Sequence, residues 1–127
     1  MARTAFEELE VYRRSEDVAD RIWEMVSGWD HFAKHAVGMQ LVRAADSIGA
    51  NIAEGAGRGT YKDDKRCVYI SRGSLNETKH FLRRSYRRNL MTAEQVEQLR
   101  PVLDQLAPQL NACLKSIDPI HNANRNH

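Results

Sequence analysis

The stretch VEQLRPVLDQLAPQLNACLKSI, residues 96–117, places Val96, Leu99, Leu103, Leu106, Leu110, Cys113 and Ile117 at alternating steps of three and four. A 3.6-residue turn returns such positions to one face, so the stretch reads as a helix with a coiled-coil-like apolar stripe. Thr92, with Gln95 three residues on, supplies a capping box to start it. Pro101 and Pro108 each remove a backbone donor, at about 3 kcal/mol in a helix interior. The stripe keeps its phase through both, which predicts one bent helix rather than three short ones. Residues 118–127 are polar and aperiodic and are expected to form a disordered tail.

Three earlier segments show the same periodicity. The first carries Val11, Ser15, Val18, Ile22, Met25 and Trp29, with Thr4 and Glu7 as a capping box and Gly28 and Asp30 at its end. The second carries Val37, Leu41, Ala45, Ile48 and Ile52, and glycines 55, 57 and 59 punctuate its close. The third begins at Thr60, with Asp63 three residues on, and runs to about Asn89. Its predicted inward face is Cys67, Ile70, Ser74, Thr78, Phe81 and Ser85. Short connections make neighbouring helices antiparallel, so the expected fold is all-α: one up-down-up-down four-helix bundle over residues 1–117.

Composition narrows the function. The chain has 127 residues, 42% hydrophobic and 28% charged, which suits one packed domain. No apolar run reaches the roughly 18 residues of a membrane span, and the start lacks a signal core, so a cytoplasmic protein without a membrane role is expected. Cys67 and Cys113 lie in helical patterns far apart and read as small core residues. Net charge is +2, but residues 58–88 hold ten Lys/Arg against three acids, while the remainder holds nine against fourteen. The third helix is therefore strongly basic.

Three stretches resemble a known family. They are Leu9-Glu10-Val11-Tyr12; Gln40-Leu41-Val42-Arg43-Ala44-Ala45-Asp46-Ser47-Ile48 with Ala50-Asn51-Ile52-Ala53-Glu54-Gly55; and Gly73-Ser74-Leu75-Asn76-Glu77. In order and spacing, over about residues 6–117, the chain is similar to the small bundle proteins encoded within intervening sequences of bacterial 23S ribosomal RNA. The resemblance implies a left-handed bundle assembling as a homopentameric ring. It also implies a distant similarity to accessory proteins of diversity-generating retroelements, which bind nucleic acid and a reverse transcriptase. It implies no activity. Gly49, often proline in relatives, His80, often acidic, and the two prolines of the last helix depart from the pattern.

Two constellations are candidate sites. Lys65, Arg72, Lys79, Arg83 and Arg87 share one line of the third helix, with Arg84 and Arg88 beside them, on the side predicted to face away from the core. Cations so arranged suit the phosphates of RNA or DNA, and the absence of a base-reading motif predicts sequence-tolerant binding. A solvated face, or one paired with Glu16, Asp17 and Asp20, is the plainer alternative. Ser47, Asn51, Glu54 and Arg58 form a polar line on the second helix, with Ser74 and Glu77 opposite, as expected of a network between helices or subunits.

Gly73 is expected to allow close helix approach. Val68, Leu75, Leu82 and Tyr86 form a further apolar line suited to subunit contacts. Glu77 with His80, and His31 with His35, have metal-ligand spacing but lack further ligands, so no metal or cofactor is expected. No nucleophile and base can be assembled, which points away from an enzyme. A protein-interaction scaffold without nucleic acid is the alternative function.

Overall fold

The computed structural model of the chain describes the backbone of residues 6–125 and the side chains of residues 6–117. Four long helices account for most of it. They are α1 (Glu10–Ser27), α2 (residues 31–57), α3 (Tyr61–Arg87) and α4 (Ala93–Arg125), with a short 3-10 turn, Phe6–Glu8, before α1. No strand occurs among the described residues. Each helix packs mainly on two neighbours, α1 on α2 and α4, α3 on α2 and α4, which closes a four-cornered bundle.

The helix starts follow the capping chemistry. Thr60 Oγ1 accepts from the Asp63 N–H at 3.2 Å. At α4, the Thr92 N–H donates to Gln95 Oε1 at 2.9 Å and the Gln95 N–H donates to Thr92 Oγ1 at 3.1 Å, a complete reciprocal box. The Thr4 cap falls outside the described residues. Asp30 opens α2 rather than closing α1, because its Oδ1 accepts from the Ala33 N–H at 2.9 Å. α2 therefore begins at His31, passes through a wide π turn at Lys34–Gly38, and continues as Met39–Gly57. Gly59 (φ +84°) and Asn89 (φ 61°) take left-handed conformations just beyond α2 and α3.

The last helix stays continuous through Pro101 and Pro108. Both prolines are exposed, so the carbonyls that lose their partners lie on the solvent side of the helix. It extends to Arg125, so residues 118–125 are helical where the sequence pattern led us to expect an irregular tail.

One hydrophobic core joins all four helices, and Ile22, Leu41, Ile48, Leu75, Leu106 and Leu110 are fully buried in it. Each such side chain contributes about 1.5–3 kcal/mol over leaving it in water. The inward face of α3 differs from the predicted one. Cys67, Ser74, Thr78 and Ser85 are buried as expected, but Ile70 is 44% exposed and Phe81 is only half-buried. Val68, Ser71, Leu75 and Leu82 complete the face, so the apolar line assigned to subunit contacts is core except for exposed Tyr86.

Candidate nucleic-acid interface

The turned inward face of α3 decides where its cations point. Successive residues rotate by about 100°, and the centre of the buried set then lies roughly a quarter-turn from the line of Lys65, Arg72, Lys79 and Arg83. The line does not oppose the core. It flanks the core on the side of α4, where Arg72 donates to Asn111 Oδ1 at 3.0 Å and its guanidinium lies 4.9 Å from the Tyr69 ring centre. Arg83 and Arg87 are exposed, while Lys65, Arg72 and Lys79 are half-buried. Arg84 (half-buried) and Arg88 (exposed) lie about a third of a turn further round, on a separate line.

A groove of about 590 Å³ lies between the C-terminal part of α3 and the first turns of α4. Leu82, Met91, Leu99 and Leu103 form its floor, and Lys79, Arg83, Arg87 and Arg100 stand on its rim. Glu97 and Asp104 belong to the α4 wall, and Glu97 is 3.5 Å from Arg100 in an ion pair. Among the described residues no ion pair engages Lys79, Arg83, Arg84, Arg87 or Arg88. Among the described residues Arg72, Lys79, Arg83, Arg84, Arg87 and Arg88 make no ion pair with Glu16, Asp17 or Asp20, and Asp17 holds Arg21 on its own helix at 2.9 Å. Four arginines close to the end of α3 also sit at the negative pole of its dipole, which stabilises them there.

The opposite seam of α3 is closed. A Cβ on Gly55 would stand 2.7 Å from Asp64 Oδ1 and 2.9 Å from Cys67 Cβ, so only glycine lets α2 and α3 meet here. Gly73 does not have that role: nothing lies within 4 Å of where its Cβ would be. Ser71 Oγ donates to the Ile48 carbonyl at 2.8 Å, and Ser74 Oγ to Ser47 Oγ at 3.0 Å. Asn51 Nδ2 donates to the Ser47 carbonyl at 2.9 Å. Of the polar constellation, Ser47, Asn51 and Ser74 are thus joined across the two helices. Glu54 and Arg58 pair with each other along α2, and Glu77 remains exposed outside the network.

Reactive chemistry is sparse. Burial, then the charge of Glu54, pushes the Cys67 thiol up, and burial does the same to half-buried Cys113, so neither is an activated thiolate. The rings of His31 and His35 lie 5.2 Å apart, and His80 packs edge-on against Phe81. Among the described residues no group of three or more His, Cys, Asp or Glu side chains could hold a metal ion. No helix among them is long and apolar enough to cross a membrane.

Comparison with known proteins follows the same outline. The family model of the 23S rRNA-intervening sequence protein matches residues 7–112, most of the chain. The chain belongs to that family. A crystal structure of a protein with unknown function from the S23 ribosomal protein family of Bacteroides thetaiotaomicron is 25% identical to it. That structure superposes with a TM-score of 0.73 over 83% of this chain and 98% of the other. No curated protein is similar enough to count as a match. The 23S rRNA-intervening sequence family membership and the bundle thus agree, and neither assigns a reaction.

Proposed function

We propose that this family member is a cytoplasmic, non-catalytic, self-associating bundle that binds RNA or DNA without sequence preference through α3. The observation that carries this reading is the set of arginines 83, 84, 87 and 88, which form no ion pair with any acid among the described residues. Uncompensated cations beside an open groove release condensed counterions when they meet phosphates, and that release drives sequence-tolerant binding. Self-association, in the pentameric ring that the family resemblance implies, has support elsewhere on the surface. Trp23 and Met39 wall an exposed groove between α1 and α2, and Phe32 on the same junction is 80% exposed. Such apolar surface is suited to a second copy of the chain.

The test is a fluorescence anisotropy titration against labelled RNA and DNA over a range of salt. Affinity should fall steeply with salt, and Arg83→Ala with Arg87→Ala should flatten the slope by about one unit per lost contact. Absence of binding to every form at low salt defeats the reading. Light scattering on Trp23→Glu, with wild type as an oligomer and the variant smaller, tests self-association separately.

A further inference from the structure

Three of the chain's four tyrosines lie on α3, and all three are exposed: Tyr61 at 41%, Tyr69 at 45% and Tyr86 at 49%. Large aromatic rings in water lose burial energy. Their positions are not scattered. At about 100° per residue, Tyr61, Lys65, Tyr69, Arg72, Lys79, Arg83, Tyr86 and Arg87 fall within roughly 100° of arc, in a row about 38 Å long. The row sets three rings among five cations and contains no acid, since Asp63, Asp64 and Glu77 lie on other sides of the helix. The guanidinium of Arg72 already lies against the Tyr69 ring, held from behind by Asn111. At the far end Tyr86 stands on the edge of the apolar-floored groove, between Arg83 and Arg87.

We propose that this row is a track for single-stranded nucleic acid, with unpaired bases stacking on Tyr61, Tyr69 and Tyr86 while Lys79, Arg83 and Arg87 take the phosphates. The inference rests on the proposed function above and specifies its ligand. A cation line alone serves any polyanion, and a duplex presents phosphates but keeps its base faces inside the stack. Exposed rings between the cations add affinity only for bases that are free to leave the stack, because every base has a π-face and a ring reads no sequence. The groove beside Tyr86 offers a base an apolar floor, with Leu82 and Met91 below it, Arg83 and Arg87 on the α3 side, and Glu97 and Asp104 confined to the α4 wall, where Glu97 pairs with Arg100. The row is therefore matched to unpaired strands, and its tolerance of sequence follows from stacking.

Anisotropy titrations of the full chain with three ligands of equal phosphate count test this: a mixed-sequence single strand of about 15 nucleotides, the same strand without bases, and a duplex. The base-bearing single strand should bind at least roughly tenfold more tightly than either of the others. Tyr86→Leu should weaken the base-bearing strand by roughly 5- to 100-fold and leave the baseless strand unchanged, whereas Tyr86→Phe, which keeps the ring, should bind as wild type. Equal affinity for all three ligands overturns the track and leaves polyanion binding standing. So does a Tyr86→Leu variant that changes oligomer size with no loss of strand affinity, which would make the row a subunit contact. Failure of all three ligands to bind removes the broader proposal and the track together.

Discussion

The two long flanks of α3 are built by opposite means. Toward α2 the residues are small or hydroxylated: Gly55 on one helix, and Cys67, Ser71 and Ser74 on the other, bring the backbones close and satisfy buried oxygens locally. Toward α4 the residues are long and charged, and the seam opens into a groove rimmed by Lys79, Arg83, Arg87 and Arg100. A helix can thus fix its position with one flank and leave the other free to meet a ligand. The fold is secured where side chains are shortest, and the proposed binding surface lies where they are longest.

The comparison breaks if the closed flank tolerates bulk. Gly55→Val should cost about 2–3 kcal/mol in urea denaturation, because Cys67 Cβ and the Asp64 backbone leave no room for the new atoms. Ser71→Ala should cost about 1 kcal/mol by the same measurement, the worth of one buried hydroxyl-to-carbonyl bond. Gly73→Ala, on the solvent side with open space around it, should instead raise stability by about 0.5–1 kcal/mol through helix propensity. An equal response at positions 55 and 73 would end the distinction.

The smallest effect lies on a third flank, between α1 and α2. Burial, then the charge of Asp20, raises the Asp46 carboxyl above its ordinary value. The folded state then holds the Asp46 proton more tightly than the unfolded chain. Stability falls as pH rises from about 3.9 through the folded value, with no contribution below both. Asp46 stays partly in water, so the penalty is modest. Asp46→Asn should raise the melting temperature slightly at neutral pH and not at about pH 3.

Most of the fold was legible where apolar spacing is regular. Val11, Ser15, Val18, Ile22 and Met25 in α1, and Leu99, Leu103, Leu106, Leu110 and Ile117 in α4, are all buried as their steps of three and four require. The phase of α3 was legible only in part: Cys67, Ser74, Thr78 and Ser85 are buried as read, but buried Ser71 carries no hydrophobic signal, while Ile70 and three tyrosines face water. That exchange of polar and apolar residues turned the predicted inward face toward Ile70 and Phe81, and it placed the cations opposite the core instead of beside α4. The tyrosine row was visible in the sequence at the spacing of its cations. Aromatic residues ordinarily read as core, so their exposure needed coordinates.

The wide turn at Lys34–Gly38 has a consequence for how this chain can vary. A π turn holds one residue more than the α turn it replaces, so α2 contains an inserted position that the rest of the bundle absorbs without a loop. Deleting one residue there would restore ordinary α winding and leave the Asp30-capped start and the core-facing remainder in nearly the same relative phase, because the wide turn spends its extra residue within about one revolution. Chain length can therefore change by one residue at this point while Phe32 keeps its orientation and the four-cornered core stays as it is.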